Sequence, residues 1–290
     1  APAWAASSAM TAPAAAGAQE PELHGVLLTL AYDGGPFCGY VKQKNGRTVA
    51  GELEGAIACI DPRASSTRGV SRTDAGVHAR GQLVAFDSTK DIDSRGWVLA
   101  LNRELPREIA VVRAARTPAQ FEPRRLVVSK TYVYSILQSS TRDPLIDRHV
   151  WRVPYRLNQL AMSQAAAELR GEHDFRAFRG AADSRDETVR HIFRIDLTPA
   201  ANDPRVLELT VTGNKFLYNM LRIIAGTLVD IGRDHLPADT FQRGFASGLR
   251  KDLGITAPPE GLVLDRIELT EAGSGEWPAA RRDGEAENFP

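Results

Sequence analysis

The chain has 290 residues, 43% of them hydrophobic and 25% charged, an ordinary globular composition with enough apolar content for one large core or two modest ones. Lysine plus arginine equals aspartate plus glutamate at 36 each, so net charge announces neither nucleic acid nor membrane, and any nucleic-acid site has to be a local patch. Two cysteines, Cys38 and Cys59, are too few for a disulfide framework or a thiolate metal site and fit a reducing cytoplasm. No apolar run approaches the roughly 18 residues that a membrane-spanning helix needs.

In chain order, residues 1–22 are rich in Ala, Ser and Pro and lack the positive start and unbroken apolar stretch of a secretory signal, so they are expected to form a disordered tail. Residues 26–32 are β-branched and aromatic and stop at Asp33-Gly34-Gly35-Pro36, which predicts a strand and a turn. Thr48 is placed to cap a helix carrying Val49, Leu53, Ile57 and Ile60 at helical spacing. Strands are expected at 68–72 and 82–86 around a turn at Asp74-Ala75-Gly76, then a helix at 97–105 and a strand at 109–114. Further strands are expected at 131–137, 192–197, 207–212 and 262–269, with helices at 157–169 and 216–231. On the last helix, Met220, Ile223, Ile224 and Leu228 would bury one face.

Strands follow one another without regular strand-helix alternation, which predicts an α+β fold with a largely antiparallel sheet. Two halves of similar size are expected, 23–120 and 121–272, followed by a second tail at 273–290. No short-period repeat and no glycine-rich phosphate loop is present in the sequence.

The densest segment is Arg72-Thr73-Asp74-Ala75-Gly76-Val77-His78. A carboxylate on such a turn can reach a substrate, and the neighbouring Arg72 guanidinium would hold it ionised by lowering its pKa. Read alone, the segment better suits an Asx turn in which Asp74 binds its own backbone and Gly76 supplies a permissive one. Residues 103–152 carry ten Lys or Arg against five Asp or Glu, a local surplus that suits phosphate contacts or a solvated face. His78 and His173 show no metal-ligand spacing and are assigned no catalytic role.

Read with the rest of the chain, this segment resembles the motif of the TruA-type tRNA pseudouridine synthases. Lys130-Thr131-Tyr132-Val133-Tyr134 resembles that family's substrate-stacking strand, and Gly171-Glu172-His173-Asp174-Phe175 its next block. Gly213 through Arg222, with Gly226-Thr227-Leu228, is similar to the family's long helix, and Ala257-Pro258-Pro259-Glu260-Gly261-Leu262 to its closing strand. The resemblance runs in order over nearly the whole expected folded part, which is far more specific than one short motif.

The resemblance implies two mixed halves whose strands form one continuous sheet with a central cleft. It implies conversion of uridine to pseudouridine at positions 38 to 40 of the tRNA anticodon arm, by a homodimeric, cytoplasmic isomerase. Such a reaction transfers no electrons and no group, so no cofactor and no metal is expected. The essential carboxylate would be Asp74, as nucleophile or as base toward the sugar. A base inside a stem must leave the stack. Tyr132 would stack on the extruded base, Arg72 would fill its place or contact phosphate, and Arg222 would pair with Asp74.

Two departures stand out. After Gly39 the family continues Trp-Gln, whereas this chain has Tyr40-Val41-Lys42-Gln43; a family histidine is replaced in Phe121-Glu122-Pro123-Arg124-Arg125, where Glu122 would repel phosphate. They leave open a paralogue with a shifted RNA target or a non-catalytic RNA-binding homologue. An unrelated aspartate-dependent hydrolase would require a second carboxylate or a metal cluster beside Asp74.

Overall fold

The computed structural model describes residues 22–180, 183 and 185–270; apart from Glu22, both expected tails lie outside them. The expected first strand is β1 (His24–Tyr32), flanked by two antiparallel neighbours, β3 (His78–Ser88) and β4 (Ile109–Thr117). Thr48 caps α1 (Val49–Ile60) by accepting from the Gly51 amide, and Asp93 does the same for Gly96 at the start of α2 (Ser94–Glu104). Trp97 of α2 meets Phe86 of β3 edge-on at 5.0 Å, which seats the helix on the sheet. Nearly every residue of β3 is buried, because both faces are covered. Ser88 donates to Asp61 at the end of α1, and Asp87 receives Arg68 and the Gln120 amide.

Of the strand expected at 68–72 only β2 (Arg68–Gly69) forms. The fully buried Gln82 side chain takes over at Ser71: its Oε1 accepts from the Ser71 amide and its Nε2 donates to the Ser71 carbonyl. This side-chain substitute for a ladder satisfies the backbone while letting residues 72–77 leave the sheet.

The rest of the sheet is β5 (Val127–Gln138), β7 (Gly171–Asp174), β8 (Val189–Pro199), β9 (Val206–Gly213) and β10 (Leu262–Leu269), with the short β6 (Trp151–Val153) beside β5. The order is β4-β1-β3-β10-β5-β9-β8-β7, one continuous and mostly antiparallel sheet, as the α+β reading expects. Its middle junction is parallel: Val263 and Leu264 of β10 lie beside His78 and Ala79 of β3. The last described strand therefore joins strands from early and middle sequence. Strands β6 and β7 and helix α5 (Thr240–Ser247) carried no clear periodic signal.

Asn158 caps α3 (Gln159–Ala167). The long helix α4 runs Met220–Gly232 and starts later than expected, because Asn219 adopts a left-handed conformation (φ 61°) and residues before it form a turn. Every α4 residue except Arg222 is buried, not one face alone. Residues 254–257 lie across the helix: the Gly254 amide donates to Thr227 Oγ1 (3.0 Å) and the Ala257 amide to the Arg222 carbonyl (3.0 Å). Gly226 permits this approach, since a Cβ there would stand 2.0 Å from the Ile255 carbonyl oxygen. Among the described residues no helix is long and apolar enough to cross a membrane.

Candidate active site

The loop after Ser71 is held from three sides. Tyr32 and Thr73 share a hydroxyl hydrogen bond of 2.7 Å, and the Tyr40 amide donates to the Thr73 carbonyl. Gly34 packs so closely that a Cβ would overlap the Val77 carbonyl at 2.1 Å. Gly76, at φ 79°, closes the turn against Pro259, a position where other residues would be strained. Tyr40, one of the departures, is buried with its ring against Gly69, so it braces the loop instead of facing solvent.

Held this way, Asp74 presents its carboxylate to a cleft of about 640 Å³ whose walls also include Arg72, Tyr132 and Arg222. The Asx-turn reading fails: among the described residues no backbone amide donates to the Asp74 carboxylate, and the turn is closed by its carbonyl through the Val77 amide (3.1 Å). Arg222 Nη1 stands 3.9 Å from Asp74 Oδ2. The guanidinium is fixed by donating from Nε to the Ala257 carbonyl (2.7 Å) and from Nη1 to Asn219 Oδ1 (2.9 Å). The left-handed Asn219 and the strap across α4 thus both hold this guanidinium in place.

The expectation that an adjacent guanidinium lowers the Asp74 pKa is corrected. Burial raises it above the usual carboxylate value, and Arg222 offsets only part of that rise. Arg72 points into solvent at the cleft edge and makes no hydrogen bond or ion pair among the described residues, so it does not grip Asp74.

Tyr132 lies on β5 with its ring edge-on to Phe216 (5.4 Å) and its hydroxyl 2.9 Å from Ser71 Oγ. Burial raises its pKa to about 12, so the phenol is neutral. Glu122 faces Arg68 at 3.4 Å, which offsets the repulsion expected of it, while Arg124 reaches the cleft and donates to the Gly69 carbonyl (2.8 Å). The cleft also holds residues the sequence reading did not single out: Lys130, Asp183, Arg185, Tyr218 and Asn219. Lys130 was legible in principle, because alternate residues of a strand share a face and Lys130 is two positions from Tyr132.

The fold also brings together Asp33, His78 and His149, which sequence spacing did not suggest. His78 is already committed: Nδ1 accepts from the Gly34 amide (3.0 Å), so Nε2 carries the proton and donates to the Glu260 carbonyl (3.1 Å). Burial, then His149, depresses its pKa, which keeps the ring neutral and linking the β1 turn to the segment before β10.

Residues 29–124 and 165–268 match the protein family described as tRNA pseudouridine synthase. The chain is 39% identical over 250 residues to tRNA pseudouridine synthase A of Citrifermentans bemidjiense, covering 86% of this chain and 99% of that protein. It belongs to the TruA family. The corresponding protein of Syntrophotalea carbinolica is 41% identical over 242 residues (83% of this chain, 95% of that protein), and that of Halalkalibacterium halodurans 40% over 244 (84% and 92%). Asp74 and Arg222 fall within the two TruA segments; Tyr132 and Lys130 fall in the interval between them.

Proposed function

We propose that this TruA-family isomerase converts uridine to pseudouridine in tRNA, at positions 38 to 40 of the anticodon arm. The N1–C1′ bond breaks, the uracil turns, a C5–C1′ bond forms, the proton on C5 leaves and N1 takes one up, so atoms and electrons balance within the nucleoside. Asp74 acts on the sugar as nucleophile or base, Arg222 stabilises its charge, and Tyr132 offers the face on which the extruded uracil rests. Arg72, free at the cleft edge, contacts phosphate or fills the vacated stack.

The observation that carries this reading is the Asp74 carboxylate itself: among the described residues no donor hydrogen-bonds its oxygens, and it stands beside a fixed cation in a cleft large enough for a nucleotide. A non-catalytic homologue would have no use for a costly, unbonded acid there. The hydrolase reading would require a second available carboxylate. Asp183 is in the cleft wall, yet it is held by Arg185 and accepts from the Tyr218 amide (2.9 Å), which drives its pKa far below the usual range.

Incubating the protein with unmodified tRNA and mapping pseudouridine residue by residue tests the reading. Product at 38 to 40 from wild type and none from Asp74→Asn is expected; product elsewhere would make this a paralogue with a shifted target. We also infer a cytoplasmic homodimer that holds one tRNA across both subunits, and sedimentation as a pure monomer with and without tRNA would remove that part.

A further inference from the structure

Lys130 is half-buried in the cleft wall, and among the described residues no carboxylate stands within ion-pair distance of it. Its Nζ donates to the Val70 carbonyl (3.3 Å) and to Ser71 Oγ (3.2 Å), both neutral, which leaves a third donor toward the cleft. Its charged neighbours are Arg124, which lines the same cleft, and Lys215, both cations. Two like charges acting on a partly desolvated lysine oppose folding, and the arrangement becomes favourable only when an anion arrives. Lys130 shares a strand face with Tyr132, and the two side chains meet at the Ser71 hydroxyl, which accepts from the Lys130 ammonium and shares a hydrogen bond with the Tyr132 hydroxyl.

We propose that Lys130, with Arg124 and Lys215, forms a subsite for the phosphodiester anion immediately flanking the reacting nucleotide. The subsite rests on reading the cleft as an RNA site, and it adds where one particular backbone charge is seated relative to the Asp74 carboxylate. Because burial and the two neighbouring cations bring the free lysine's pKa down to about 8, Lys130 is charged at neutral pH and loses its charge in mildly alkaline solution, while Arg124 stays charged.

The test is a coupling experiment on binding, independent of turnover. Anticodon stem-loop RNAs, each with one neutral methylphosphonate in place of a phosphate, are titrated against the protein and Lys130→Met, both carrying Asp74→Asn so that the RNA stays unreacted. At one linkage next to the target uridine, the methylphosphonate and Lys130→Met should each weaken binding about tenfold or more, and together no further. Lys130→Arg should keep most of the affinity. Binding of the all-phosphate RNA should weaken above about pH 8 with Lys130 present and not with Lys130→Met. Thermal unfolding supplies the remaining check: removing an unpaired cation should leave the midpoint unchanged or raised at pH 7. Additive losses at every linkage, or a lowered midpoint with no linkage singled out, would reduce Lys130 to a structural pin and overturn the subsite. Coupling without any pseudouridine formed by the Asp74-containing protein would keep the subsite and overturn the isomerase reading instead.

Discussion

Asp74 illustrates how a functional group can work against the fold that carries it. Its pKa in the folded chain is raised, so the charged form costs stability at every pH above the folded value, and that cost disappears as both states become protonated in acid. Asp74→Asn is therefore expected to abolish pseudouridine formation and to raise the unfolding midpoint at pH 7. The gain should close as pH falls below the ordinary carboxylate range, which calorimetry across pH would show. Removing the opposing cation with Arg222→Met should push the Asp74 pKa higher still, moving the acid limb of the kcat/KM profile to higher pH. Arg222→Lys is not expected to restore it, because one ammonium cannot reach both Ala257 and Asn219 while facing Asp74. At Tyr132, the Phe variant should lose the Ser71 hydrogen bond at a cost of about 1 kcal/mol, and the Ala variant about 1 to 3 kcal/mol of base stacking; equal RNA-binding losses would contradict a stacking face. The placement of Asp74 on a turn was legible from its motif, and its approach to Arg222 followed from the family resemblance. The direction of its pKa shift was not legible, since that depends on how much water the finished cleft excludes.

Individual elements separate into those that only hold shape and those that aim a side chain. Thr48→Ala removes the cap of α1 and should cost about 1 kcal/mol of stability with kcat/KM unchanged. Gly226→Ala drives a Cβ into the Ile255 carbonyl, so residues 254–257 must lift from α4; overpacking of this kind costs about 1 to 3 kcal/mol. Because the strap also holds Arg222 through the Ala257 carbonyl, kcat should fall even at temperatures where Gly226→Ala remains fully folded. The same contrast governs what the sequence disclosed. Strand β1 and helix α1 announced themselves through turn residues, a cap and spacing. Strand β2 ended early because the Gln82 side chain replaced its ladder at Ser71, a substitution that strand propensity does not encode, and α4 was buried nearly all round because a later segment crossed it. Strands as short as β6 and β7 carry too few residues for a period to emerge.

At the scale of the molecule, equal numbers of acidic and basic residues conceal a cleft where Arg72, Arg124, Lys130 and Arg222 gather. RNA affinity should accordingly fall steeply with salt despite zero net charge, and Lys130→Met should reduce the slope of log Kd against log salt by about 0.7, the increment for one contact to a single strand. The continuous sheet was expected from strand succession and resemblance, whereas the parallel seam between β3 and β10 had no local cue, since pairing between distant strands leaves no periodic trace in either. That seam has a consequence for biosynthesis. Until β10 has emerged from the ribosome, β3 and β5 have no strand joining them and are covered only in part, by β2 and β6, so the nascent chain carries two incomplete sheets and no assembled cleft. Catalytic competence is then reserved for chains translated through β10, and release of an earlier fragment yields a species with open edges inviting aggregation and no ability to modify RNA.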